Sequence, residues 1–247
     1  MLGVLDFKRP FRPLFLLGAA KSPDFDEINF EIPMQQLKPF TTLGPLKKAL
    51  DNGGRFYNFW ASAGDEVVSR GELAKAAGVF TADIQAFLYL QMSSQDLDEK
   101  DQQAVLAMLE AKLRNDFNKK KPPFVQPSQV DSDYKAGDSI IVTGYAREIG
   151  KQSKFKGFIT VPVMVGKVFV PIMIPIQDMY QVIEIFDDEK KTKPCAVVCA
   201  PQKKKIDLEG RVQIGGVLKK TEGKSSSEQP THPVFLEAIF WMKRPSI

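Results

Sequence analysis

Hydrophobic residues recur at helical spacing in the first half of the chain and at alternate positions in the second half. Between residues 41 and 117 they return every three or four positions, as in Val105, Leu109 and Leu113, which predicts amphipathic helices. After residue 135 the apolar runs are short and rich in β-branched residues, which predicts strands. We therefore expect an α+β protein in which an α-helical N-terminal domain is followed by an all-β barrel.

Composition divides the chain into four parts. Five prolines and no sustained period predict an extended proline-containing arm over residues 1–40. Residues 41–117 are the predicted α-helical domain. Residues 118–134 contain three lysines and three prolines among polar residues, which predicts a stiff, exposed linker. Residues 135–247 are the predicted barrel domain.

Two local patterns in the helical part give specific expectations. Ser69 and Glu72 have the spacing of a capping box, so a helix should begin directly after Ser69. In "RFYNFWASAG", the spacing of Phe56, Phe59 and Trp60 predicts that these residues share one helical face.

Seven apolar runs in the second half predict seven short strands. They are "DSIIVTGYARE", "FKGFITVPVMV", "KVFVPIMIP", "YQVIEIFDD", "KPCAVVCAP", "GRVQIGGVLKK" and "PVFLEAIFWMK". In the sixth run, alternation places Val212 and Ile214 on one side and Gln213 on the other, but Val217 breaks the alternation. We therefore expect a β-bulge at Gly215-Gly216, where glycine permits the necessary backbone geometry.

The order of these runs resembles the OB-fold (oligonucleotide/oligosaccharide-binding) superfamily. The resemblance rests on four features: a first strand with Gly144, a long strand before an acidic turn at Asp187-Asp188, the "GRVQIGG" element and a closing last strand. "FKGFITVPVMVGKVFVPIMIP" departs from the pattern because it adds a hairpin between the first two expected strands. The resemblance implies a five-stranded barrel that binds its ligand on an exposed face.

On such barrels, bases stack on exposed aromatic rings while Lys and Arg follow the phosphate backbone. The resemblance therefore implies a nucleic-acid-binding set made of aromatic and basic residues. The candidates are Tyr145, Arg147, Lys154, Phe155, Lys156, Tyr180, Lys203, Lys204, Lys205, Lys219 and Lys220. The alternative is that Phe155 and Tyr180 are core residues and the lysines only protect exposed strand edges. Phe186, Phe240 and Trp241 are expected in the core.

A second pattern, in the helical part, resembles a helix-turn-helix. Leu73-Ala74, Gly78 and then Ile84 and Phe87 have the small-residue, turn and anchor spacing of that motif. The remaining positions of the second helix include Asp83 and contain no Lys or Arg, which would disfavour contact with phosphates. We therefore interpret the pattern as a packing motif.

Charge is distributed unevenly between the two halves. Residues 135–247 carry 18 Lys+Arg against 12 Asp+Glu, whereas the whole chain has a formal net charge of only +4. A basic second half favours a polyanionic partner there. The expected partner is a single-stranded nucleic acid or, alternatively, another protein in a scaffold role.

The sequence offers little for catalysis, cofactors or membranes. It has one histidine and no G-x-S-x-G, phosphate-binding loop or H-E-x-x-H motif, so we expect a non-enzymatic protein without a metal or cofactor. No run reaches the roughly 20 apolar residues of a membrane helix. Cys195 and Cys199 are interpreted as reduced thiols of a cytoplasmic protein, although the basic-then-apolar stretch before Ala20 resembles a short signal sequence.

Overall fold

A closed five-stranded β-barrel with helices packed on its outside forms the described part of the protein. The structure, a computed structural model, describes residues 34–56, 59–78, 83–165, 168–190, 195–201, 206–220 and 233–245. Residues 55–56, 59–60, 151–165, 168–180, 199 and 201 are described by their backbone alone. Residues 32–247 form one compact unit.

The helical part contains five main helices. They are α1 (Leu43–Leu50), α2 (Arg70–Ala76), α3 (Asp83–Ser94), α4 (Glu99–Met108) and α5 (Ala111–Lys120). The predicted capping box at α2 is confirmed, because the Ser69 hydroxyl accepts from the Glu72 backbone N–H and the Glu72 carboxylate accepts from the Ser69 N–H. That carboxylate is buried and also accepts from the Gly53 N–H at 2.6 Å, which ties the start of α2 to the segment after α1.

Five strands close the barrel. They are β5 (Ser139–Val165), β6 (Val168–Phe186), β7 (Ala196–Pro201), β8 (Arg211–Lys220) and β9 (Val234–Arg244). Around the barrel the order is β5-β6-β7-β9-β8 and back to β5, with β7 and β9 parallel and all other neighbours antiparallel. This closed arrangement is consistent with the OB-like barrel that the sequence predicts.

The first four predicted strands are merged into two. β5 contains both "DSIIVTGYARE" and "FKGFITVPVMV", and β6 contains the next two runs. Register shifts at 148/150 and 155/157 let pairing continue where separate strands were expected. As a result, the predicted inserted hairpin is a direct extension of the first two barrel strands.

Strand β8 is covered on both faces. Val212 and Ile214 belong to the barrel core, whereas Gln213 and Gly215 lie on the opposite face. At Gly215 a Cβ would lie 2.6 Å from the Met92 Sδ, so glycine allows α3 to pack closely on the strand. The predicted bulge at Gly215-Gly216 is confirmed by a register shift against β9.

The barrel wall also forms part of the helical core. Ile141, Phe240 and Met242 pack with the buried residues of the helices, whereas Trp241 lies in the barrel core. Phe186, Phe240 and Trp241 are all buried, as expected.

The predicted order of a helical domain followed by strands is not confirmed, because strands precede and separate the helices. β1 (Gln35–Gln36), in the predicted arm, pairs parallel with β9 at Phe240 and Trp241. The predicted helix at residues 55–64 is wrong: β2 (Gly54–Phe56) and β3 (Phe59–Ala61) pair antiparallel there. Helical spacing over so short an aromatic run also fits a hairpin, because β propensity is high for these residues.

The predicted linker joins the barrel sheet. Within residues 118–134, β4 (Phe124–Val125) pairs parallel with β5, and the short helix α6 (Val130–Asp133) follows a 3₁₀ turn at Pro127–Gln129. Val125 and Val130 are buried in the barrel core, so the expectation of an exposed segment is wrong at these two residues. Independent folding of residues 41–117 and 135–247 stays a prediction.

Candidate nucleic-acid interface

The outward face of β5 and β6 carries two of the candidate residues. Tyr145 is opposite Phe186, and Arg147 is opposite Glu184, so all four residues lie on one face of the strand pair. Ala146, Ile183 and Ile185 lie on the other face, in the barrel core. Strand alternation therefore holds this row on the outside of the barrel.

Arg147 is held in a defined position while remaining accessible. Its Nη2 lies 2.7 Å from Glu184 Oε2, and its Cζ lies 5.0 Å from the centroid of the Phe186 ring. The Arg147 side chain is nevertheless 52 % exposed. A guanidinium has five N–H donors, so one ion pair leaves donors for a phosphate oxygen, and the ring beneath it adds a cation–π contact. Sequence reasoning missed Glu184 and Phe186 because their role depends on the strand register.

Beyond this row, β5 and β6 continue out of the barrel as a ribbon, defined as residues 150–165 and 168–180, which is two-stranded from Ser153 and Met179 outward. Four further candidates lie at its base, where Lys154 is opposite Asp178 and Tyr180 is opposite Gln152. Phe155 and Lys156 stand at the register shift before Gly157. Six of the eleven candidates therefore follow one another along a single strand pair, at one end of the barrel.

A buried glutamine fixes the chain next to the ribbon base. Gln181 is only 2 % exposed; its Nε2 donates to Glu148 Oε2 at 3.0 Å and its Oε1 accepts from the Ile206 N–H at 3.2 Å. Buried amides require such partners. The sequence signal for this role is the amide of Gln181 in the largely apolar run "YQVIEIF", which also contains Glu184.

An open depression of about 370 Å³ lies beside this glutamine, lined by Glu148, Ile206, Asp207 and Leu208. Two of the four lining residues, Glu148 and Asp207, are acidic. A hydrogen bond from Lys243, 2.5 Å away, lowers the pKa of Asp207, and the Glu209 backbone N–H lowers it further. Asp207 therefore stays ionised and paired near neutral pH.

Lys203, Lys204 and Lys205 lie outside the described residues. The residues on either side of them are described: Pro201 is opposite Tyr180, and Ile206 is bonded to Gln181. Both flanks of the lysine run thus contact β6 at the base of the ribbon.

Lys219 and Lys220 are not brought together with the other candidates. They are exposed at the end of β8, and Lys219 lies 3.5 Å from Glu237. Tyr145 is opposite Arg211, at the start of the same strand. Eight residues of strand separate Arg211 from Lys219, which corresponds to ~27 Å.

The helix-turn-helix-like pattern has a structural role. Phe87, Leu88 and Met92 of α3 are buried, and α3 packs on β8 at Gly215. Asp83, at the start of α3, pairs with Arg70. A helix with this much of its surface covered has no free side for a DNA groove, which agrees with the packing interpretation.

Metal ligands do not cluster in the described part of the chain. No group of three or more His, Cys, Asp or Glu residues there could hold a metal ion. Among the described helices, none has both the length and the apolar character needed to span a bilayer.

Comparison with known proteins gives a weak structural similarity. No family model and no curated protein matches the sequence. Among solved structures, the chain is similar to the N-terminal domain of an archaeal MCM, with 14% sequence identity and a TM-score of 0.35. The match covers 71% of this chain and 84% of that one.

Proposed function

We propose that this protein is a non-enzymatic binding protein that holds single-stranded nucleic acid along the outward face of β5 and β6 and the ribbon base. The observation that carries the proposal is the placement of Arg147, exposed above Phe186, in a row that leads directly to Lys154, Lys156 and Tyr180. A single strand can bind along such a row because the cations contact its phosphates and the aromatic rings stack on its bases.

The position of this row on the barrel supports the proposal. OB-type barrels bind oligonucleotides on the face of their second and third strands, bordered by the connection between strands one and two. Here β5 and β6 are the first two barrel strands, and the ribbon is their connection. The ribbon base therefore lies at the border of the face that such barrels use.

The electrostatics of the row also fit a phosphate ligand. Glu184 is only 16 % exposed and is occupied by Arg147, so the carboxylate does not present an unpaired charge to a passing strand. A phosphate that approaches Arg147 would meet a guanidinium already held in place, which lowers the entropy lost on binding. Tyr145, half-buried two residues away on the same face, supplies an aromatic ring on which a base can stack.

The test is fluorescence anisotropy of a labelled single strand across a salt series. The variant R147Q/K154Q/K156Q removes three cations at the ribbon end, and K203Q/K204Q/K205Q removes the neighbouring run. We expect each to weaken binding and to lower the salt slope by ~2, since each phosphate contact contributes ~0.7. Replacing Tyr145 or Tyr180 by Leu should weaken binding without changing the slope.

The matched control is K100Q/K112Q/K119Q, which removes three exposed lysines from the helical part. It changes net charge equally and should leave the slope unaltered. K219Q/K220Q tests whether the far end of β8 contributes a separate contact; we expect a smaller effect from it. Absence of binding by the unaltered protein at low salt would disprove the proposal.

A second candidate function is protein assembly, and a different observation favours it. The outer part of the ribbon is almost free of charge: within residues 157–176 the single charged residue is Lys167. A surface of that kind suits another apolar surface better than a nucleic acid.

A further inference from the structure

The ribbon extends well beyond the barrel. Tyr180 is opposite both Gln152 and Pro201, but in the described part of the chain residues 153–165 and 168–179 pair only with each other. At ~3.3 Å per residue, the two-stranded part of the β5 arm, residues 153–165, is roughly 43 Å long. An isolated two-stranded ribbon of this kind is marginally stable in water at best.

The register separates the residues of the outer ribbon into two different faces. Paired residues share a face, and the face alternates at each step along the strand. From Ile159 and Ile174 outward, one face consists only of Val and Ile, in the pairs Ile159/Ile174, Val161/Ile172, Val163/Val170 and Val165/Val168. The opposite face is mixed, with the pairs Phe158/Pro175, Thr160/Met173, Pro162/Pro171 and Met164/Phe169.

The prolines restrict how a partner could approach. Pro162 and Pro171 are opposite each other, and Pro175 lies four residues from Pro171 on the same strand, so all three occupy the same set of alternate positions. Proline has no N–H to donate, and it is found on strand edges that do not add a further strand. Extension of the ribbon by edge pairing is therefore disfavoured, which leaves packing of one face on another.

The Val/Ile face has the size and the chemistry of a homodimer interface. Eight such residues at roughly 60–100 Å² each give ~500–800 Å² per copy, close to the ~800 Å² per partner of a specific complex. The face has no polar or charged residue with which to select a different partner. A two-fold arrangement would place identical, equally apolar faces against each other, as sheets do at a spacing of ~10 Å.

We propose that the Val/Ile face of the ribbon packs against the same face of a second copy of this chain. The proposed interface lies beyond Lys154 and Tyr180, in the outer part of the ribbon. This inference is independent of nucleic-acid binding, because it rests on the outer ribbon and not on its base.

Sedimentation velocity of the full chain, without nucleic acid, tests the inference across a concentration series. The informative pair is Ile172→Lys and Met173→Lys, neighbouring residues on opposite faces of one strand. I172K places a charge in the proposed interface and should raise the dimer dissociation constant by ~100-fold or more. M173K carries the same charge change on the other face and should shift it by only a few-fold.

Folding is monitored in the same samples by tryptophan fluorescence, which comes from Trp60 and from Trp241 in the barrel core. It should be the same in both variants. A protein that is monomeric at every concentration would overturn the inference, as would equal dissociation by I172K and M173K. A monomer that instead co-sediments with phosphatidylcholine vesicles would also overturn it, since a lipid surface would then cover the face.

Discussion

Strands β5 and β6 each have one part in the barrel and one part in the ribbon. Comparing the two parts suggests that the barrel part contributes stability and the ribbon part contributes binding. In the barrel, Ile183 and Ile185 are in the barrel core while Ile141 is covered by helices. In the ribbon, residues 153–165 and 168–179 pair only with each other among the described residues. The same alternation of β-branched residues thus contributes to a core in the barrel and forms a two-stranded ribbon beyond it. What differs is that further strands and helices pack on β5 and β6 in the barrel.

The largest expected effect comes from truncating the same residue type in both environments of β6. Ile183→Ala should lower the free energy of unfolding by about 2–5 kcal/mol, because it leaves a cavity in the barrel core. Ile172→Ala, in the ribbon, should change it by less than about 0.5 kcal/mol at concentrations where the chain is monomeric. Urea unfolding followed by tryptophan fluorescence measures both. Equal losses would show that the ribbon is packed within the monomer and would break the comparison.

Glycine positions give an intermediate effect. A Cβ on Gly216 would overlap the Glu237 carbonyl oxygen of β9, so Gly216→Ala should destabilise the barrel by about 1–3 kcal/mol. A Cβ on Gly150, at the start of the ribbon, would meet no atom within 4 Å, so Gly150→Ala serves as the control. The two melting temperatures should differ by several degrees. Similar melting temperatures for the two variants would show that Gly216 is not in close contact with Glu237, and so that the β8–β9 bulge lies elsewhere.

The smallest expected effect is a pH dependence at the acidic depression. Lys243 lowers the pKa of Asp207 below its ordinary value of 3.8, so the folded state favours the ionised carboxylate. This contribution is present above pH 3.8 and is lost as the pH falls through the lowered pKa. Lys243→Gln should therefore be slightly less stable than the unaltered protein at neutral pH and equal to it in stronger acid.

Thermal unfolding of both proteins at a series of pH values checks this, with Lys100→Gln, on the exposed face of α4, as the control. A Lys243→Gln difference that persists unchanged in strong acid would assign the effect to packing of the lysine stem and not to its charge.

The sequence predicted features that depend on neighbouring residues. The capping box at Ser69 and the bulge at Gly215-Gly216 follow from local chemistry, and both are present. The OB-like barrel was predicted from the order of glycine and apolar positions, which reflect strand pairing. By contrast, the parallel contact of β1 with β9 joins residues about 200 positions apart, and no local pattern marks a two-residue strand.

The candidate site was predicted in composition and not in arrangement. Tyr145 and Arg147 do lie on an outward face, but the support from Glu184 and Phe186 appears only once the strands are in register. Lys219 and Lys220 are basic like other candidates, but they lie at the end of β8 that is far from Tyr145. The extended strand places them there because each residue adds about 3.3 Å.

The central claim is that the barrel supplies stability while the ribbon and its base supply binding. It is tested most directly by replacing residues 153–179 with an Asn-Gly turn between Gln152 and Tyr180, which are opposite each other and so suit a two-residue hairpin. Unfolding of this variant and its anisotropy with a labelled single strand are measured side by side with the full chain. We predict an unfolding free energy within about 1 kcal/mol of the full chain and a loss of binding by at least about tenfold. A folded variant that binds the single strand with unchanged affinity would contradict the claim.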